Sequence, residues 1–438
     1  MSTLRRSNIA CATIITLALA TFIKAEFISK EVASKYDISM YYTAATVARG
    51  SSAVRLYVPL RTSRSPATDY LAGPPDPNSD WLRIGREAGA PAKGGNFTYP
   101  PSAAVLLIPL TFVTVQEAFI IWRVLSLLCI ICALYLATGL ACPVRSVPLT
   151  TFSIIGALSF FPLQEMFYLG QMGAVLLFLW VLGTWLWSKE LSVLSSLCFA
   201  VGTMLKITPV VVLALFVYRR QWKWVLWFCV WCSLFLGLGI WRLGWLNTEN
   251  YFLKVLPMMS CGLPGYVNKS LAAVSQNAYL GFVPLDPYQS PTIPSAICWL
   301  NKSVSACLFL FILWQVHRRR REPNLRYELA MFAFVALLIS PVSWRHHYVM
   351  ALFPLIVAWS RYHEMSLREF ATLVGATVLL GVPFGDYFVV LVRPSVLQVV
   401  VAAAPTVAAL GFLVIGMSEY SRAGAYNRRA DAASLNTV

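Results

Sequence analysis

Apolar runs long enough, or nearly long enough, to cross a lipid bilayer recur along almost all of this 438-residue chain, and only two sizeable polar stretches interrupt them, 26–100 and about 244–295. A hydrocarbon core about 30 Å thick takes about 20 apolar residues in helical form. Backbone N–H and C=O groups find no water at that depth, so each run satisfies them internally, as a helix. A composition of 58% hydrophobic and 12% charged residues excludes a soluble chain cut into ordinary domains. The expected fold is an all-α polytopic membrane protein. It forms a single integral membrane domain over 1–438, with 26–100 as a first outer loop, 244–295 as a second and 419–438 as a cytoplasmic tail.

Spans are expected near 8–25, 118–141, 149–167, 171–187, 191–218, 222–243, 296–316, 327–343, 346–360, 367–385 and 396–418. The first follows Arg5 and Arg6 and contains Ala18-x-Ala20, which a cleaved signal peptide would also show. The many spans behind it favour an uncleaved anchor with a cytoplasmic N-terminus. Four short basic segments read as cytoplasmic on the same rule: Arg219-Arg220-Gln-Trp-Lys223, His317 with Arg318 to Arg321, Arg361 to Arg368, and the tail with Arg422, Arg428 and Arg429. The net charge of +16 is accounted for by that topology and by anionic headgroups, and no nucleic-acid partner is expected.

Segment 101–115 is short, and 191–218 is either one long helix or two short ones broken at Lys206 to Pro209, because proline lacks an N–H and clashes with the preceding turn. Two helices put Arg145 and Lys189 inside and Gly170-Gln171 outside, and require 101–115 to be re-entrant; one helix reverses all three. Two is preferred because it gathers the polar motifs on one face.

Of the ten cysteines, Cys129/Cys132 and Cys229/Cys232 have C-x-x-C spacing inside apolar runs, with no His or further Cys at zinc-site distance. They read as small packing residues. No metal and no cofactor are expected, and no glycine-rich phosphate loop, nucleophile elbow or internal repeat is found.

The residues that bear chemistry lie beside the ends of the runs. Asp37 precedes an interfacial stretch, Ile38 to Ala48, that carries Tyr41 and Tyr42; its carboxylate suits either a helix N-cap or a general base. Tyr99-Pro100-Pro101 opens the next apolar segment, and Gln171 follows Glu165 and Gly170 between two spans. Lys206 is a lone cation in an apolar run, so it either snorkels to the interface or meets an anion such as a phosphate. Ser340 to Tyr348 contains Trp344, Arg345, His346 and His347, side chains too costly to leave against lipid, so they face a cavity or an interface. Asn268 and Lys269 in the second outer loop, with Tyr41 and Tyr42 in the first, are further candidates, for an acceptor.

In this order these motifs resemble glycosyltransferase family 87: Asp37 with Tyr41-Tyr42 and Ala44-Ala45, then Tyr99-Pro100-Pro101, Gly170-Gln171, Lys206-x-x-Pro209 with Arg219-Arg220, Asn268-x-Ser270-Leu271, and Ser340-Pro-x-Ser-Trp344-x-His346-His347. The resemblance covers about residues 1 to 360. It implies a GT-C-like helical bundle of about 11 to 13 spans. The implied reaction moves a hexose, usually mannose, from a polyprenyl phosphate to a lipid-linked or surface glycan at the extracytoplasmic face of the cell membrane. The family's catalytic aspartate falls on Asp37 and its late histidine on His346 or His347. The chain departs from the family at Lys269, where glutamine is common, and at Gly173, where asparagine is common.

Chemistry fits that implication. A phosphate leaving group asks for fixed positive charge rather than protonation, which Lys206, Arg345 and His346 could supply together, with Gln171, Tyr99 and Trp344 around donor phosphate and sugar. A polyprenyl-linked glycan transporter and an O-antigen ligase or polymerase are the other classes the composition permits; the first needs no poised acidic base, and the second usually carries several arginines.

Overall fold

A computed structural model describes residues 37–50, 80–90, 97–142, 147–284, 293–318, 324–382 and 395–413, with Phe22, Leu56, Tyr57, Val389, Leu391 and Val392 as isolated positions. The expected anchor at 8–25 apart from Phe22, most of loop 61–95, Arg145, Arg319 to Arg321 and the tail at 419–438 lie outside the described residues. Within them the chain is helical with no strands, and one isolated bridge pairs Asn268 with Trp344. The helices are α1 Asp37–Arg49, α2 Asp80–Glu87, α3 Pro101–Leu106, α4 Val115–Ala141, α5 Val147–Leu158, α6 Phe161–Leu169, α7 Gly173–Ser188, α8 Ser192–Leu205 and α9 Val212–Tyr218. Beyond them run α10 Trp222–Leu243, α11 Leu271–Leu280, α12 Ser295–Arg318, α13 Leu325–Ile339, α14 Leu352–Trp359, α15 Leu367–Gly381 and α16 Ser395–Leu413.

Among the described residues, α4, α10, α12 and α16 are long and apolar enough to cross a membrane, and α5 with α6 make a fifth candidate bent by 56°. Other expected spans are shorter helices, such as α7 with 16 residues and α13 with 15. The starts follow local chemistry. Thr114 accepts from the Glu117 N–H while the Glu117 carboxylate accepts from the Thr114 N–H, so α4 opens on a reciprocal cap, and Ser366 with Glu369 does the same for α15.

The segment 191–218 is two helices, not a span. Leu205 ends α8, Lys206 is extended, a 3₁₀ turn covers Thr208–Val211, and α9 follows. The Trp187 ring meets the Phe216 ring at 5.1 Å, and Trp224 stacks on Phe216 at 3.7 Å while its indole N–H donates to Ser195 at 3.0 Å. Hence the start of α8 and the end of α9 share one end of the bundle, and Lys206 is the tip of a hairpin. With 14 residues, α8 lifts that tip about 21 Å, some two-thirds of the way across the hydrocarbon core.

Segment 101–112 also enters and returns, from the opposite end. Tyr99 lies at the site described below, and at the far side Thr111 and Val113 carbonyls accept from Arg49 and Tyr42 of α1. The two re-entrant segments meet where Ser102 Oγ donates to the Met204 carbonyl at 3.2 Å. Gly239 of α10 allows this close approach, since a Cβ there would stand 3.2 Å from the Ser102 nitrogen.

The bundle therefore has two chemically distinct ends. One collects Lys189, Arg219, Arg220 and His317, with Tyr218 bonded to His317 at 2.7 Å and Arg219 paired with the buried Glu328. The other collects α1, Gln171, Lys206 and the Ser340–Tyr348 segment. Exposed tryptophans mark both borders, Trp222 and Trp314 toward the first, Trp241, Trp245 and Trp299 toward the second, as expected for rings at headgroup level.

Candidate functional site

Gly170 closes α6 with φ of +70°, a left-handed cap in which the Gln171 N–H bonds the Met166 carbonyl at 3.0 Å. That cap turns Gln171 back toward α1. Its amide Nε2 donates to the Asp37 carboxylate, and its Oε1 accepts from the Tyr41 hydroxyl at 2.6 Å. Tyr41 and Tyr99 hydroxyls are 3.0 Å apart, and the Tyr99 carbonyl accepts from Tyr57 at 2.6 Å. Asp37 is half-buried as the first residue of α1. Burial pushes its carboxyl above the usual range, with the Gln171 hydrogen bond and the Lys206 charge pulling the other way.

At the hairpin tip Lys206 Nζ lies 2.5 Å from His347 Nε2. The Trp344 N–H donates to His347 Nδ1 at 3.1 Å. A backbone N–H only donates, so Nδ1 is the acceptor and the proton of the neutral imidazole sits on Nε2. Both Lys206 and His347 border a cavity of about 530 Å³. Tyr99 and Trp344 share its polar end; Val210, Val211, Leu256, Met259, Phe309 and Ile339 give it long apolar walls. A much smaller cavity, about 40 Å³, adjoins Lys206 and His347 on the side of Gln171, Ser340 and Ser343.

The other basic residues of the motif turn away. Arg345 pairs with Glu165 of α6, its guanidinium lying 5.3 Å from the Phe161 ring centroid and 5.8 Å from that of Tyr266. His346 is buried, its Nδ1 3.9 Å from the same Glu165 carboxylate. Neither borders either of these cavities: of the three residues expected to lie together, Lys206 is beside His347, while Arg345 and His346 lie against Glu165. The physical reason is the tight 3₁₀ turn over Arg345–Ala351, which sends adjacent side chains to different faces.

Four hydrogen bonds hold the Asn268 side chain. Its amide donates to the Leu263 and Pro341 carbonyls at 2.8 and 3.2 Å and its oxygen accepts from the Ser343 and Ser270 N–H groups at 2.9 and 3.2 Å. The Lys269 N–H donates to the Ser343 carbonyl at 2.8 Å, while its own carbonyl accepts from Tyr348 at 2.7 Å and Thr406 at 2.8 Å. Together they lash the second outer loop to the Ser340–Trp344 segment, and neither lines the two cavities described above. Tyr42 spends its hydroxyl on the Val113 carbonyl at 2.6 Å. Two features were not foreseen: the Glu165 pairing and a disulfide between Cys261 of the second loop and Cys298 of α12.

Comparison with known proteins supplies the family. The model of glycosyltransferase family 87 matches residues 97–341, which include Tyr99, Gln171, Lys206 and Asn268 and are flanked by Asp37 and His347. One relative is a polyprenol-phosphate-mannose-dependent α-(1-2)-phosphatidylinositol pentamannoside mannosyltransferase of Mycobacterium tuberculosis (strain CDC 1551 / Oshkosh), 24% identical over 311 residues, which are 69% of this chain and 67% of that protein. Another, with the same description, is from Mycolicibacterium smegmatis (strain ATCC 700084 / mc(2)155), 27% identical over 304 residues, 66% of this chain and 67% of that protein. With its matched segment running from the tyrosine of the re-entrant helix through the lysine hairpin to the Ser340 loop, this multi-pass membrane chain belongs to glycosyltransferase family 87 and is a membrane glycosyltransferase.

Proposed function

We propose that the chain transfers a hexose, mannose by analogy with the two mycobacterial relatives, from a polyprenyl phosphate to a hydroxyl of a lipid-linked or surface glycan at the extracytoplasmic face. One observation carries the reading: Lys206 and the Nε2–H of His347 are both donors, and they converge at the polar end of an otherwise apolar cavity. Two donors 2.5 Å apart leave no room between them, but one anion resting against both accepts from each, and apolar walls beside such a site suit a lipid phosphate. Tyr99 and Trp344 stand at the same polar end, where phosphate meets sugar.

Asp37 is the general base in this mechanism. Its carboxylate takes the proton of the acceptor hydroxyl as that oxygen bonds to the anomeric carbon. The bond from the anomeric carbon to the phosphate oxygen breaks on the opposite side, and polyprenyl phosphate leaves as an anion held by Lys206 and His347. Attack opposite the leaving group inverts the anomeric centre, and the Lys206 charge with the His347 N–H serves the phosphate without a metal. Gln171 holds Asp37 from one side and borders the small cavity from the other, so it links base to phosphate site. Arg345 and His346 act through Glu165, anchoring the turn that carries His347 to α6.

The face is supported from both ends. The disulfide Cys261–Cys298 stands at the site end, and disulfides persist in oxidising compartments; the basic cluster at the other end follows the positive-inside rule. The test is transfer of radiolabelled mannose from synthetic polyprenyl-phosphate mannose by membranes containing the protein, with lipid extract as acceptor. Asp37→Asn, which keeps the size and the Gln171 contact, is expected to lower the rate about 10²- to 10⁴-fold with protein level unchanged. An Asp37→Asn protein as active as the unaltered one would refute the base, and continued glycan movement without transfer would point to a transporter.

A further inference from the structure

Arg123 lies in the third turn of the membrane-crossing α4 and is only 4% exposed, an expensive place for a guanidinium unless it does something there. Its Nε points at the Phe167 carbonyl of α6 from 3.5 Å, and its guanidinium carbon stands 4.4 Å from the Phe119 ring centroid. The Phe167 carbonyl belongs to the last turn of α6 and also accepts from the Gly170 N–H at 3.3 Å. A contact of 3.5 Å is long for a hydrogen bond, and it sets a positive charge at the carbonyl end of a helix. The Phe119 ring beneath it packs against Gly170, where a Cβ would come within 3.1 Å, and Trp122 lies 6.4 Å from Tyr41, ring to ring. Consecutive turns of α4 thus support the α6–α7 turn and the tyrosine bonded to it.

We infer that Arg123 is a positioning residue that pins the turn carrying Gln171, so that the Gln171 amide meets the Asp37 carboxylate; this rests on the reading of Asp37 and Gln171 given above. The chain of contacts is continuous: Arg123 to the Phe167 carbonyl, that carbonyl to the Gly170 N–H, the left-handed Gly170 to Gln171, and Gln171 to Asp37 and Tyr41. None of these hydrogen bonds is made to Lys206 or His347, so Arg123 acts through the base side of Gln171.

The test uses the full-length protein in lipid nanodiscs and two variants. Arg123→Met keeps the apolar stem and removes the charge, a replacement that buried positions often tolerate. Arg123→Lys keeps a charge on a thinner stem. Hydrogen exchange read by mass spectrometry is expected to speed up about 3- to 10-fold at residues 168–172 in Arg123→Met, less in Arg123→Lys, with α10 and α12 unchanged. In the mannose transfer assay Arg123→Met should lower kcat by a similar factor and leave the donor KM within about twofold, and adding it to Gln171→Leu should lower kcat no further. Unchanged exchange at the turn, or losses that multiply in the double variant, would overturn the inference. Exchange needs no substrate, so a protein that transfers no mannose would refute the reaction while the exchange data still decide for or against Arg123.

Discussion

Breaking the Cys261–Cys298 bond should detach one wall of the donor cavity. Cys261 follows Met259 and Ser260, both in that wall, and Cys298 lies in the first turn of α12, 37 positions further along. The bond fastens a loop of several short turns to a membrane-crossing helix. Closing a loop of that length is worth about 4 kcal/mol in chain entropy. At about 1.4 kcal/mol per factor of ten, this is nearly 10³-fold in the balance between docked and detached wall. That figure is a ceiling, because the Asn268 contacts and the Gln276 amide, bonded to the Cys261 carbonyl at 2.8 Å, still hold the loop after the bond is cut. The expected result for Cys261→Ser, Cys298→Ser and their double variant is an increase in donor KM on the order of 10- to 100-fold, with kcat nearly constant. The double should be no worse than either single, and the unaltered protein reduced with dithiothreitol should match it. Kinetics in proteoliposomes, with maleimide labelling to show when the two thiols become reactive, make the assay. A labelled, reduced enzyme with an unchanged donor KM would show that the wall does not need the bond.

Gln171→Leu removes a donor that stabilises the charged form of Asp37, whose carboxyl burial already holds high. A general base acts deprotonated, so kcat/KM rises with pH through that raised pKa, and the variant's acid limb should lie at higher pH; a limb that stays in place contradicts the assignment. Lys206→Met should weaken donor binding about 10- to 100-fold, the worth of a charged hydrogen bond, and Lys206→Arg should restore part of it; equal KM values in all three would remove Lys206 from the phosphate site. Glu328→Ala removes the buried carboxylate paired with the half-buried Arg219 and should cost about 3 kcal/mol, seen as a lower thermal midpoint, while the protein that stays folded keeps its kcat.

The hairpin at Lys206 was legible because a proline and a lone cation interrupt an apolar run, two local signals that agree. The pairing of Asp37 with Gln171 was not, since 134 positions separate them and only the left-handed Gly170 turn brings them together. The order of the family's motifs named Asp37 and the histidine pair but left open which histidine faces the cavity; that is set by the Trp344 N–H and the pitch of a 3₁₀ turn. Arg345 looked like a phosphate ligand because its nearest sequence neighbours are histidines, whereas its partner, Glu165, lies 180 positions away. Arg123 disappeared into the average of its apolar run, although one arginine inside such a run is itself a signal. The disulfide was hidden by the two C-x-x-C pairs, whose regular spacing drew attention from Cys261 and Cys298.

The turn at Lys206 also bears on how the protein is made. Residues 192–218 hold enough apolar length to be threaded through as an ordinary span during synthesis, and that error would carry Arg219 and Arg220 to the opposite end. The proline break and the reluctance of those arginines to translocate send the chain back instead. Every helix from α10 onward inherits its direction from that decision. On the orientation proposed above, Arg219, Arg220 and Lys223 would act during biogenesis as the retention signal for a cation far from them in the finished fold, and a chain stripped of their charge is expected to invert the helices that follow before any substrate arrives.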